Sequence, residues 1–151
     1  MLLCFYLFFA VGLLFTGEFL LVYWGLYFTL ASRAGIFLNL SPFVVALGEQ
    51  LFIPGENLSP IQIVGLCCAF LGILVIFRES LSFPSMNMLI GDSMLVGAAI
   101  FWGASTVLIK ASPLVMIKPS KTLLYQLAVS ATILPMASWL KDEPSVAHLT
   151  P

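Results

Sequence analysis

The stretch ASRAGIFLNLSPFVVALGEQLFIPGENLSPIQIVGLCCAFLGILVIF, residues 31–77, decides the fold. It contains two apolar runs, 34–53 and 60–77, joined by a short loop that holds most of the local charge. The first run contains Pro42 and carries no charge before Glu49, and the second run carries no charge at all. At about 1.5 Å per residue, roughly 18 to 20 residues cross a hydrocarbon core of about 30 Å. Both runs are therefore predicted to be membrane-spanning helices.

The composition of the whole chain agrees with that prediction. Of 151 residues, 61% are hydrophobic and 9% are charged, whereas soluble domains carry about 25% charged residues. A chain this apolar cannot cover its surface in water, so we expect an integral membrane protein whose main partner is the lipid bilayer. The formal net charge of −1 gives no reason to expect a nucleic-acid partner.

The residues that catalysis and metal binding need are scarce. Cys4, Cys67 and Cys68 lie in apolar runs without metal-like spacing, so we predict that they are small buried residues. His148 is the single histidine, which excludes a histidine-based metal cluster. The sequence also has no phosphate-binding glycine pattern and no spacing typical of a nucleophile and its base. We therefore expect no catalytic residues, no metal and no cofactor, and a protein that is not an enzyme.

The remaining apolar runs complete an all-α prediction, a polytopic bundle of about five transmembrane helices. The five predicted spans are 2–29, 34–53, 60–77, 93–109 and 122–140. Ser59 and Gln62 are predicted to form a capping box before the third span, and Asp92 is predicted to be the N-cap of the fourth. The cations divide three against three between the two sides, so charge alone does not orient the chain.

The second predicted span has one small or polar face, which recurs at spacings of 4, 3, 4 and 3. Its members are Gly35, Asn39, Pro42, Ala46 and Glu49. In lipid such a face is expected to meet protein or a cavity, and Pro42 is expected to bend the helix. The third span carries a stripe of small residues, Gly65, Ala69 and Gly72, which we predict to serve helix packing.

Glu18 is the ionisable residue furthest inside an apolar run. A carboxylate at that depth is costly and is therefore a functional candidate. The alternative is a helix break near Gly17 that brings Glu18 to an aqueous edge. Glu18, Val22, Gly25 and Thr29 share one face of the first span, which we predict to be a cavity wall. Trp102, near the centre of the fourth span, is either an aromatic wall of the cavity or a packing residue.

Three segments in this order resemble a known family. They are SPFVVALGE at residues 41–49, LSPIQIVGLCCAFLG at 58–72 and GDSMLVGAAIFWGAS at 91–105. They look like the fourth helix, the fifth helix and the start of the second repeat of the drug/metabolite transporter superfamily, EamA type.

The resemblance implies a ten-helix fold made of two inverted five-helix repeats. Residues 1–78 would be the last three helices of the first repeat, and residues 91–151 the first two of the second. The implied function is secondary transport of small metabolites, expected to be export, in the inner membrane of a bacterium. The loop 54–58 and the connection 110–121 would then be cytoplasmic.

This partial set of helices is expected to be inactive alone and to need helices from another chain or a second copy. The alternative is a non-transporting membrane component that packs against partner helices. For a complete assembly we predict a substrate path lined by Glu18, Asn39, Pro42 and Trp102.

Overall fold

The computed structural model describes residues 2–55, 58–81 and 85–139, and the regular secondary structure in this part of the chain is all helical. The six α-helices are α1 (Leu2–Phe28), α2 (Ala31–Leu38), α3 (Ser41–Phe52), α4 (Pro60–Ile76), α5 (Met86–Lys110) and α6 (Pro119–Trp139). Two short 3-10 helices, Arg78–Leu81 and Pro113–Met116, lie in the connections. The all-α prediction is confirmed, while residues 140–151 of the predicted second repeat lie outside the described residues.

Three helical segments are long and apolar enough to cross a membrane. They are Phe5–Phe28, Ala31–Phe52 and Met86–Lys110, and the second of them comprises α2 and α3 together. The apolar helix α4, Pro60–Ile76, is shorter at 17 residues, and α6 does not meet the same criterion. The helical membrane bundle is thus confirmed, while the third and fifth predicted spans, which correspond to α4 and α6, stay predictions.

The second span is divided rather than merely bent. α2 ends at Leu38, α3 begins at Ser41, and Asn39 and Leu40 lie between them. Pro42 has no backbone N–H to donate to the carbonyl one turn earlier, so a continuous helix would lack a hydrogen bond there. The predicted face from Gly35 to Glu49 is therefore distributed over two helices.

The start of the fourth span differs from the prediction by about two turns. α5 begins at Met86, and Ser85 is its N-cap, with its hydroxyl accepting a hydrogen bond from the Met88 N–H at 3.4 Å. Asp92 is therefore inside α5 and is not an N-cap. The prediction was wrong because Asp92 is buried among other helices, where its carboxylate has tertiary partners.

The connection between α3 and α4 follows the sequence signals. Gly55 has φ of 92°, a left-handed conformation that favours glycine in a turn. The predicted capping box at the start of α4 is confirmed, with the Ser59 N–H donating to Gln62 Oε1 at 2.9 Å. Together these features reverse the chain within a few residues.

Helix α5 is central, because it contacts α1, α2 and α3. Glycines let α1 and α5 approach closely: a Cβ on Gly91 would lie 2.8 Å from the Gly25 carbonyl oxygen. Further along, a Cβ on Gly17 would lie 3.3 Å from the ring of Phe101. The residue numbers fall along α1 as they rise along α5, so these two helices are antiparallel.

Helix α3 is parallel to α5, and a glycine on each helix lies against a valine of the other helix. A Cβ on Gly103 would lie 2.5 Å from Val44 Cγ1, and one on Gly48 would lie 2.6 Å from Val107 Cγ2. Such contacts between small residues and branched side chains allow close helix packing in lipid.

Helix α6 packs on α1 and runs parallel to it. The ring centroids of Phe8 and Tyr125 are 4.5 Å apart, and the Thr16 and Ser130 hydroxyl oxygens are 3.0 Å apart. Thr16 also donates to the Gly12 carbonyl at 2.8 Å, so the two hydroxyl groups of this buried contact both have hydrogen-bond partners. The chain thus crosses the bundle in alternating directions.

Helix α4 lies at the periphery. Its residues are not buried, and one contact that attaches it is between the rings of Phe70 and Phe43, with centroids 5.4 Å apart. A Cβ on Gly65 or Gly72 would meet nothing within 4 Å among the described residues. Packing through the stripe Gly65, Ala69 and Gly72 therefore stays a prediction. Cys67 and Cys68 are exposed on this helix, which contradicts their predicted burial.

Candidate functional site

A buried cluster of polar groups joins α1, α2 and α5 at one end of the bundle. The Arg33 guanidinium forms an ion pair with Asp92: Nε donates to Oδ1 at 3.1 Å, and Nη2 donates to Oδ2. The Thr29 hydroxyl also donates to Asp92 Oδ1, at 2.9 Å. All three residues are at least nine-tenths buried. We call this end of the bundle the Asp92 end.

Sequence reasoning missed this cluster, since it placed Arg33 in a loop and Asp92 at a helix cap. The available signal was weak: a base and an acid each border an apolar run on the same predicted side. Separating a buried ion pair leaves an uncompensated charge, which costs about 3–5 kcal/mol. The buried ion pair therefore holds α2 and α5 together at the Asp92 end.

A second ion pair lies at the opposite end, which we call the Lys110 end. Lys110 Nζ lies 2.9 Å from Glu49 Oε2 and joins α5 to α3. The side chains are 40% and 19% exposed, and pairs in contact with solvent contribute only about 0–1 kcal/mol. Glu49 thus lies near the end of α3, which ends at Phe52.

The two ion pairs bound the apolar part of the bundle. Asp92 and Lys110 are 18 residues apart on α5, which is about 27 Å along a helix. That length is close to the hydrocarbon core, about 30 Å thick. We infer that the two pairs lie near the two edges of the core.

Glu18 lies near the middle of this thickness. It is 11 residues from Thr29 along α1, or about 16 Å from the Asp92 end. Its side chain is buried, and Oε2 has no hydrogen-bond partner among the described residues. Because α1 is continuous from Leu2 to Phe28, the helix break near Gly17 on which the aqueous-edge alternative depends is absent.

The face of α1 that carries Glu18 is packed at its other positions. Thr29 bonds to Asp92, and a Cβ on Gly25 would lie 3.0 Å from the Leu95 side chain. The predicted cavity wall is therefore closed by α5 between Gly25 and Thr29. On this face, the Oε2 atom of Glu18 has no hydrogen-bond partner among the described residues.

Asn39 and Pro42 lie where the second span is divided. The Asn39 side-chain N–H donates to the Gly35 carbonyl at 2.6 Å and so satisfies a carbonyl near the end of α2. Asn39 and Pro42 are both exposed in the described bundle. The amide oxygen of Asn39 remains as the acceptor with which this site could bind a ligand.

Trp102 is at nearly the same depth as Glu18. It is 10 residues from Asp92, about 15 Å along α5, and its side chain is 47% exposed. Within the described residues, no hydrogen bond or ring contact joins any two of Glu18, Asn39, Pro42 and Trp102. The fold brings these residues to a similar level but does not enclose them around one cavity.

A separate apolar cleft of about 360 Å³ lies between α3 and α5 towards the Lys110 end. Its lining residues are Val44, Gly48, Phe52, Ala104, Val107, Leu108 and Ala111. Residues two apart on a helix lie on opposite faces, so Ala104 and Trp102 face different ways. The cleft is therefore distinct from the predicted substrate path.

Comparison with known proteins gives one family. The model of the EamA-like transporter family matches residues 2–78, which include α1 to α4 and half of the chain. No curated protein and no solved structure gives a significant match. The matched segment contains Glu18, Asn39 and Pro42, whereas Trp102 lies beyond it.

Proposed function

This chain belongs to the EamA-like transporter family, and on that premise we propose that it serves secondary transport of small metabolites across a membrane. The observation that carries the proposal is the buried Glu18 carboxylate near the midplane of an apolar bundle. Ionisable residues inside spans mark substrate or ion pathways, and sites in inverted-repeat transporters lie near the midplane.

The chemistry of the predicted path favours an organic substrate with a polar or cationic group. The Glu18 carboxylate is suited to bind a cation or to carry a proton, and the Asn39 amide oxygen can accept a hydrogen bond. Trp102 supplies an aromatic surface for an apolar part of the substrate. Export and the inner membrane of a bacterium are implied by the family resemblance and stay predictions.

Helices α1 to α6 do not enclose the predicted substrate path on all sides. Asn39, Pro42 and Trp102 are exposed, so in the isolated bundle no further helix covers these side chains. We therefore propose that the 151-residue chain alone gives no saturable flux. Further helices, from another chain or a second copy, would close the path.

The test is flux into proteoliposomes that contain either the 151-residue chain or a complete assembly. A panel of amino acids and related metabolites provides the substrates. Saturable flux is expected with the assembly only, and Glu18→Gln is expected to reduce it without changing membrane insertion. Saturable flux from the purified chain alone would contradict the requirement for further helices.

A thiol-accessibility scan locates the path independently of the substrate. Cysteine is placed at positions 18 and 39 of the assembly in a background without Cys4, Cys67 and Cys68. Reaction with a water-soluble reagent is expected at both positions. If neither position reacts and Glu18→Gln transports normally, the path lies elsewhere.

A non-transporting membrane component is the second candidate, and the position of α4 favours it. No α4 residue is buried, and α4 contacts the bundle at its edge. A chain whose role is to pack against a partner would present such a helix. It would co-purify with its partner, and the partner's flux would be the same with Glu18→Gln.

A further inference from the structure

The two halves of the second span are joined to α5 by ion pairs of unequal strength. α2 is held by the buried Arg33–Asp92 pair, to which Thr29 contributes a third hydrogen bond. α3 is held by the exposed Glu49–Lys110 pair. Water can replace the partners of an exposed pair, whereas a buried pair has no such substitute. The ion pair that holds α2 is therefore stronger than the one that holds α3.

The junction between the halves lacks the hydrogen bonds of a continuous helix. The Leu40 N–H donates to the Phe37 carbonyl, three residues back, at 3.1 Å. Pro42 has no N–H to donate, and the Gly35 carbonyl accepts the Asn39 side chain. Fewer helical bonds oppose bending here than elsewhere in either half.

Beyond the junction, α3 and α5 touch through apolar atoms. Val44 fills the space at Gly103, and past this contact the cleft of about 360 Å³ opens towards the Lys110 end. Its lining residues offer no side-chain hydrogen bond to α3. Movement of α3 there has to separate the Glu49–Lys110 pair and shift the apolar contact between Gly48 and Val107.

We infer that α3 is a hinged half-helix, which turns about Asn39–Leu40 and narrows or widens the cleft, while α2 remains fixed to α5. Movement of the whole second span as one rod is disfavoured, because it would separate Arg33 from Asp92. The inference concerns the bundle itself and holds whatever substrate the protein carries. A failure of the flux experiments would therefore leave it standing.

The test compares the mobility of the two halves in lipid nanodiscs by electron paramagnetic resonance. Spin labels are attached to cysteines in a background without Cys4, Cys67 and Cys68. The first labelled pair is Leu51 on α3 with Leu124 on α6, and the second is Ala31 on α2 with Met136 on α6. All four positions are exposed and none lines the cleft.

The Leu51–Leu124 distance distribution is expected to be wider than the Ala31–Met136 distribution. The difference in width should be larger than the flexibility of the spin label alone produces. The double variant N39L/P42A restores a backbone N–H and removes the competing amide, so it should narrow the first distribution only. Pro60→Ala is the matched control, since a proline at the first position of α4 forfeits no helical hydrogen bond. Equal widths, or a broad distribution at Ala31–Met136, would overturn the inference.

Discussion

Arg33 and Asp92 lie 59 positions apart in the sequence and meet as a buried ion pair between α2 and α5. The pair joins the segment that matches the transporter family to the segment beyond the match. Thr29, the residue directly after α1, completes the contact by donating to the same carboxylate. Three helices are thereby held together at a single acidic side chain.

Asp92→Asn is expected to destabilise the bundle by about 3–5 kcal/mol, because Arg33 would remain buried without a counter-charge. The measurement is the free energy of unfolding in mixed micelles, titrated with a denaturing detergent. The double variant R33M/D92L is the control, and it should lose less than Asp92→Asn does, since it removes both charges. A double variant less stable than the single one would contradict this account.

Gly103→Ala is expected to destabilise the bundle by about 1–3 kcal/mol, because its methyl group would meet the Val44 side chain. The matched control is Gly72→Ala on α4, where a Cβ meets nothing within 4 Å among the described residues. That variant should be neutral or more stable by up to about 1 kcal/mol, through helix propensity. The same unfolding titration measures both. Equal effects would show that α3 and α5 do not pack closely.

Glu18→Leu is expected to stabilise the bundle by about 1–3 kcal/mol, because it removes a buried carboxylate of which one oxygen has no partner among the described residues. The same change is expected to abolish flux in a complete assembly, as functional sites often carry a stability cost. Unfolding titration and proteoliposome flux are measured on the same variant. A loss of stability would show that Glu18 has a structural partner.

Reporter fusions after Gly55, Ser85 and Lys118 are expected to alternate in sidedness. The contacts of α5 with α1 and α3 place the connections near Gly55 and Lys118 at the Lys110 end, and Ser85 at the other. The measurement is enzyme activity of an alkaline phosphatase fusion in intact cells. The same compartment for Gly55 and Ser85 would contradict the predicted crossing of α4.

Much of the fold follows from the sequence through local chemistry. The apolar runs predict the three spans, since about 20 predominantly apolar residues in succession have no stable place in water. Ser59 and Gln62 predict the start of α4, because a capping box acts within one turn of helix. Pro42 predicts a defect in the second span, because the missing N–H belongs to the residue itself.

The pairing and burial of charged side chains depend on residues that are distant in the sequence, and only the tertiary structure determined them. Asp92 is suited to cap a helix, and only the approach of Arg33 and Thr29 made it a buried counter-ion inside α5. Glu18 was identified from sequence as a costly charge, but its burial depends on the continuity of α1 and on its packing in the bundle. Local propensity determines where helices form. The pairing of buried charges depends on which helices meet, and residues far apart in the chain determine that.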